Sequence, residues 1–454
     1  MNDTLFSENQ YKDVSYAIFL TTELGQIHQV IPWVKLAAQF YTSIPKSKVG
    51  RKPIFSTEGG LGLMFLKHYL GLSDKKLLER INSDWQLQYF CGIKLTKTHP
   101  IRDKDIVSRW RKYFGIHMNL EKLQDVFVDS WKPKMNQTHV LMEDATCYES
   151  YVKYPTDVKL LYNCTEYIFG TIKHLCKKLG ISMPRTKYKD QAARQTTFSK
   201  RKRKSKRKVA SRIRQLLYWT IRGLDLLQQI LDKNPTIHKE IKICAPIYDK
   251  IKTIRVIYVQ QYMHFNDPSK KIKNRIVSLF KTYLRPIIRG KENKRVEFGA
   301  KVHMSQVDGI NLIEHLSFDA FHEGIRMQKS IAKHIKRFDK CSQYGGDQIY
   351  ATNANRKFAT KMEIATCFKR KGRASKTEAQ KSQLRKEIGK ARATRMEGSF
   401  GNEKNHYGLR KIKARSMETE IAWIFFGVHT ANAVKMAKKK KTQNSKIDTQ
   451  RQAA

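Results

Sequence analysis

The sequence lacks several features that would each fix a function class. It has no Cys-x-x-Cys pair, and its seven cysteines are scattered from Cys91 to Cys367. That excludes a zinc ribbon and suits a reduced protein with buried free thiols. None of the 14 histidines stands in a His-x-x-x-His spacing backed by nearby Cys or Glu. No apolar run approaches the ~18 residues that a membrane-spanning helix needs. The amino terminus, Met1-Asn2-Asp3-Thr4-Leu5, does not follow the basic-then-apolar order of a signal peptide. The expectation is a cytoplasmic, nucleoid-associated protein with no membrane partner. There is no internal repeat. Acidic residues are scarce, 40 against 89 Lys and Arg, which leaves a net charge of +49. A folded chain with that charge repels itself, and a polyanion is the natural relief, so nucleic acid is the expected partner.

What is present suffices for a core. Hydrophobic residues make up 40% of the 454 and aromatics 10%, so the chain is not a basic disordered tail. Two or three structural units are expected at this length. Residues 1–135 read as a helical, helix-turn-helix-like DNA-binding domain. A helix around 55–70 places Leu61, Met64, Phe65 and Tyr69 on one stripe. A cap at Ser73-Asp74 then starts another with Leu77, Leu78 and Ile81, and a third runs through Ile106, Val107, Trp110 and Phe114. The other face of the third helix holds Arg109, Arg111 and Lys112. A basic face on short helices suits DNA, and a generic bundle with solvated Lys and Arg remains the alternative.

Residues 136–435 read as an α/β domain. Val140-Leu141-Met142 is a short buried strand ending in the acids Glu143-Asp144. Two further strands, Lys301–Met304 and Leu312–Phe318, join through a turn at Asp308-Gly309. Between them lies a mainly helical, basic insertion at about 165–285. Its clearest helix carries Ile213, Leu216, Leu217, Thr220, Leu224, Leu227 and Leu231. The preceding run Lys200–Lys208 reads as a solvated, mobile segment that touches phosphate backbone. A second exposed basic stretch spans Arg370–Lys390, a helix Glu418–Asn432 closes the fold, and residues 436–454 read as a basic disordered tail.

Three acids stand in distinctive surroundings: Asp144 in Leu141-Met142-Glu143-Asp144-Ala145-Thr146, Asp347 in Gly345-Gly346-Asp347-Gln348-Ile349-Tyr350, and Glu397 in Arg395-Met396-Glu397-Gly398-Ser399-Phe400-Gly401-Asn402. Magnesium takes hard oxygen ligands and keeps several waters. Two such ions about 4 Å apart activate the attacking oxygen and stabilise the leaving one in displacement at phosphorus. Carboxylates at two strand ends and on one packed helix would suit such a pair. Glu397 and Lys404, seven residues apart, fall on one side of a helix. Arg392, Arg395 and Lys404 are then candidates for DNA phosphates, and Tyr350 for a base or sugar. Glu143 and Asp157 read as structural or supporting acids, Glu403 as a solvated or Lys-paired neighbour. His303, His315 and His322 read as packing residues, Asp308 and Asp319 as turn formers.

These residues resemble the DDE transposases of bacterial insertion sequences, of the insertion-sequence-five-like superfamily. The matching segments are Asp144-Ala145-Thr146 with Lys153-Tyr154-Pro155-Thr156-Asp157, Glu297–Lys301, Phe318–Glu323, Gly346-Asp347 with Tyr350, Asn353 and Asn355-Arg356-Lys357, and Glu397–Lys404. The Gly50–Asp74 region and Arg109-Trp110-Arg111 resemble the family's preceding helical domain. Where many relatives carry a Tyr and an Arg upstream of the Glu, this chain has Lys390 and Ala393.

The resemblance implies a ribonuclease-H-like mixed sheet flanked by helices, with Asp144, Asp347 and Glu397 as catalytic metal ligands. It implies two Mg²⁺ ions, with Mn²⁺ able to substitute. It implies double-stranded DNA partners (terminal inverted repeats and target), cleavage followed by strand transfer, and a homodimer or larger synaptic complex. A same-fold nuclease that cleaves without joining, and a catalytically idle DNA-binding protein, remain the alternatives.

Overall fold

Short side-chain caps divide the amino-terminal third into helices. The computed structural model describes residues 8–40, 53–95, 99–234, 241–288, 296–374 and 376–453. Eight helices come first: α1 (Glu8–Thr21), α2 (Glu23–Val30), α3 (Trp33–Ala38), α4 (Thr57–Leu70), α5 (Asp74–Ser83), α6 (Trp85–Phe90), α7 (Ile106–His117) and α8 (Leu120–Trp131). Ser56 caps α4 by accepting from Gly59 N, and Ser73 caps α5 by accepting from Lys76 N, the second at the cap the sequence predicts.

Among the described residues six strands follow these helices in one sheet. β1 (Val140–Glu149) and β3 (Val296–Val307) pair antiparallel from Met142↔Gln306 to Glu149↔Gly299. β3 turns at Asp308-Gly309, both with positive φ (49° and 84°), into antiparallel β4 (Ile310–Ser317), so the turn lies where it was expected. On the other side of β1, β5 (Gln343–Gly345) and then β6 (Ala365–Thr366) add in parallel. The order is therefore β4-β3-β1-β5-β6, with β2 (Pro286–Ile288) on the Val296–Phe298 end of β3. The remaining helices are α9 (Asp157–Leu179), α10 (Tyr188–Lys200), α11 (Lys206–Lys233), α12 (Ile241–Asn266), α13 (Met327–Phe338), α14 (Asn353–Lys361), α15 (Glu378–His406) and α16 (Met417–Ala453).

The chain divides into two compact units. The first joins residues 1–151 to 299–454. In it the amino-terminal helices share a core with α16: Phe426 packs on Phe65 and Phe114 at 5.7 and 5.6 Å, and Phe127 stacks on His429 at 4.6 Å. The second unit, Val152–Phe298, is inserted between β1 and β3. Its core joins Ile168, Phe169 and Ile172 of α9 with Leu224 and Leu227 of α11 and Ile254 of α12. Its ends meet, with the Tyr154 and Phe298 rings 5.6 Å apart.

Four local expectations change. β1 does not end at the acids but runs on to Glu149, because Thr146 and Tyr148 continue the two-residue alternation and β3 pairs along the whole length. Lys206–Lys208 are helical, since Ser205 caps α11. The second half of Arg370–Lys390 is already α15, a stretch rich in the good helix formers Lys, Glu and Gln. Lys438–Lys441 lie inside α16, which continues to Ala453.

Candidate active site

Strand register brings the first two acids together. Met142 and Gly345 are the last partners where β1 and β5 run parallel. Two residues further along the chain from each stand Asp144 and Asp347, close enough for their carboxylates to interact. β5 stops there, and Asp347 caps a short 3₁₀ turn, accepting from Gln348 N at 2.7 Å, with its carboxylate exposed. Asp144 stays in the strand, partly buried, accepting from Ala145 N at 2.8 Å. Burial raises the Asp144 pKa above the ordinary carboxylate range. Arg392 and the Ala145 N–H oppose this, while the nearby carboxylates of Glu323 and Asp347 push the same way as burial.

α15 crosses the face that bears Asp144. Arg392 Nη2 lies 2.7 Å from Asp144 Oδ2, and Lys404 Nζ donates to Thr146 Oγ1 at 2.7 Å. Thr146 is two residues from Asp144 and so points the same way. Gly345 permits this approach: a Cβ there would stand 3.1 Å from Arg392 Cβ and 3.3 Å from Ile388 Cγ2. Glu397 is exposed on the side of α15 that Lys404 occupies, between Arg392 and Lys404 along the axis. Arg395 is exposed too, with Nη1 donating to Gln137 Oε1 at 3.2 Å. The structure thus sets Arg392 on Asp144 with Asp347 within electrostatic reach, holds Lys404 at Thr146, and leaves Glu397 exposed.

A fourth carboxylate, Glu323, was not singled out from the sequence. It lies on a short 3₁₀ turn and pairs with Lys301 Nζ at 2.7 Å. Asn355, which is buried, donates to Gly324 O at 2.6 Å and to Tyr350 O at 2.8 Å. One amide thereby ties together the turns that follow Glu323 and Asp347. The only sequence signal for Glu323 was its place in the Phe318–Glu323 segment.

Other candidate residues prove structural. Tyr350 is 0% exposed, stacked on His303 at 5.7 Å and edge-on to Tyr344, so no ring face is open to DNA. Arg111 is buried: its Nη2 binds both carboxylate oxygens of Asp74 at 2.8 and 3.0 Å, its guanidinium covers the Trp423 ring, and Lys67 joins the same carboxylate at 2.8 Å. Helical periodicity could not reveal a partner 37 positions away. Arg109 is exposed and pairs with Asp103. Glu403, expected at the surface, is fully buried and accepts from Tyr148 Oη and from Asn311 Nδ2. Glu143 is also fully buried, accepting from Tyr344 Oη at 2.7 Å, and burial pushes its pKa up to about 8. His303 is a packing residue, Asp157 pairs with Arg275 at 2.6 Å, and Asp308 forms its turn, as expected.

The donor chemistry at Asp144, Asp347 and Glu323 is carboxylate oxygen alone, which fits a hard divalent cation such as Mg²⁺. Among the described residues no three His, Cys, Asp or Glu side chains are already gathered in a metal-holding arrangement. Arg392 instead supplies the counter-charge at Asp144.

Residues 15–113 match the family model described as Transposase domain (DUF772), which runs from within α1 to within α7 and stops short of Asp144. The chain is also 28% identical over 164 residues to "Uncharacterized protein ORF8 in nfe locus" of Rhizobium meliloti, covering 35% of this chain and 75% of that protein. No solved structure matches. The described residues include no helix long and apolar enough to cross a membrane. The family-model match supports a transposase-family protein.

Proposed function

We propose that this chain is a DDE-type transposase. It binds the terminal inverted repeats of its own element, cleaves a strand to free a 3′-hydroxyl, and joins that end to target DNA. The observation that carries the reading is the proximity of the Asp144 and Asp347 carboxylates just past the β1–β5 pairing, with Arg392 and Lys404 of α15 bonded to Asp144 and Thr146. The strand order β4-β3-β1-β5-β6, antiparallel on one side of β1 and parallel on the other, supports a ribonuclease-H-like sheet. The transposase-domain match in the preceding helices and the strongly basic charge point the same way.

Asp144 and Asp347 would hold a divalent ion, with Glu397 as the third carboxylate once α15 or its side chain turns inward. When bound, Mg²⁺ supplies Lewis-acid activation of an oxygen nucleophile and charge neutralisation at phosphorus. The chain's own residues do the remainder. Arg392 neutralises Asp144 before DNA arrives. Lys404, fixed beside Thr146, and exposed Arg395 hold phosphates on either side of the reacting bond. Synapsis of two element ends requires a dimer or larger complex.

The test uses purified protein, Mg²⁺ and a labelled duplex with the repeats that flank the gene. Asp144→Asn, Asp347→Asn and Glu397→Gln are each expected to lose more than about 100-fold in cleavage and joining while still shifting the duplex. Cleavage without joined products by the wild type would identify a nuclease. Duplex binding without any cleavage would overturn the catalytic reading.

A further inference from the structure

The basic run Lys200–Lys208 does not form a free tail. α10 ends at Lys200, α11 begins at Lys206, and the two helices wall an open groove of about 640 Å³. Its lining contains Arg194, Arg201, Arg207, Lys208 and Arg212 and no acidic residue, with the Thr197, Ser205 and Ser211 hydroxyls beside them.

Two independent features leave this positive charge uncompensated. The first is Arg212, on the groove floor and only 4% exposed. Its guanidinium donates to Gln195 Oε1 at 2.9 Å, Gln191 Oε1 at 3.0 Å, Gln191 O at 2.9 Å and Gln215 Oε1 at 3.1 Å. Every acceptor is neutral, whereas a buried arginine ordinarily has an anion to offset its desolvation. The second is the start of α11. Its first turn is Lys206-Arg207-Lys208 and holds no acid, so three cations crowd the positive end of a helix dipole. An isolated helix gains from the reverse arrangement. An anion seated between the helices would relieve both, meeting the α11 N-terminus, the exposed arginines and the hydroxyl rim.

We infer that the α10–α11 groove is a phosphate-binding site that seats the sugar–phosphate backbone of DNA. The choice of DNA rests on the function proposed above. The phosphate chemistry rests on the groove itself. An open groove lined by cations and hydroxyls suits a polymer backbone, in which each phosphate carries one charge and has solvent on its far side.

The test compares two full-length variants with equal charge loss. One carries Arg194→Gln, Arg201→Gln, Arg207→Gln and Lys208→Gln, all exposed groove positions. The other carries Lys173→Gln, Lys177→Gln, Lys252→Gln and Arg255→Gln, exposed positions on α9 and α12. Arg212 is left in place because its bonds hold α10 to α11.

Binding of a labelled random-sequence duplex across a salt series should give a slope shallower by about two to four for the groove variant. The control should change by less than about one, since each phosphate contact contributes about 0.9. Inorganic pyrophosphate should raise the wild-type and control melting temperatures but not that of the groove variant. Equal slopes for the two variants, with equal pyrophosphate response, would overturn the site. A wild type that binds no duplex but keeps groove-dependent pyrophosphate protection would retain the phosphate site and remove both DNA and the transposase reading. Duplex binding with no difference between variants would remove the groove and leave the transposase reading standing.

Discussion

Glu143 sits beside Asp144 in sequence, yet the pleat sends it to the other side of β1, into a layer with Tyr344, Tyr350 and His303. Fully buried, with its pKa raised to about 8, it is mostly protonated at neutral pH. The folded state holds this proton more tightly than the unfolded chain, where the group titrates near the ordinary glutamate value. Its contribution is therefore fully present at acidic pH and is lost as pH rises through the window that ends near 8. Glu143→Gln keeps an acceptor for Tyr344 but removes the ionisation. Its stability relative to wild type should climb by roughly 1.4 kcal/mol per pH unit inside that window and level off above it. Denaturant midpoints from pH 5 to 9 would read this, and a pH-independent difference would show that Glu143 does not titrate there. Residue chemistry of this kind was only half legible in the sequence. Local context singled out Asp144 and Asp347 as candidates. The burial of Arg111, Tyr350 and Glu403 did not, because each depends on a partner far away in the chain: Asp74, His303 and Asn311.

Among the elements, α15 depends on one small residue. A side chain at Gly345 would press on Ile388 and on the Cβ of Arg392, the residue that holds Asp144. Gly345→Val should cost about 1–3 kcal/mol by overpacking and, under the proposed function, should weaken DNA cleavage more than DNA binding. Thermal melts and the cleavage assay would check this, and an unchanged melt would mean that α15 has room to yield. Elements with local causes were readable in advance. α4 and α5 have serine caps, α11 has a long apolar stripe, and the β3–β4 turn has Asp-Gly. β5 and β6 were not readable, because three and two residues carry no periodicity and become strands only by pairing beside β1.

For the molecule as a whole, a net charge of +49 works against compaction. Raising monovalent salt from low ionic strength to a few hundred millimolar should therefore raise the melting temperature, as the screening length falls toward about 8 Å at physiological strength. A short DNA duplex should do the same at far lower concentration. Sucrose at matched osmolality serves as the control, and a salt response no larger than the sucrose response would show that self-repulsion is not limiting.

The insertion of Val152–Phe298 between β1 and β3 also bears on how the chain folds as it is made. Glu149 and Gly299 are direct ladder partners, yet 149 residues separate them in sequence. At a synthesis rate of about 5–20 residues per second, β1 emerges roughly 8–30 s before its partner strand. Closing so long a loop from a random coil would be slow. Contact between the Tyr154 and Phe298 rings, 5.6 Å apart, closes the two ends of the second unit and would shorten that search. Folding of the inserted unit ahead of the strand pair would then set the pace at which the strand that carries Asp144 finds its partner.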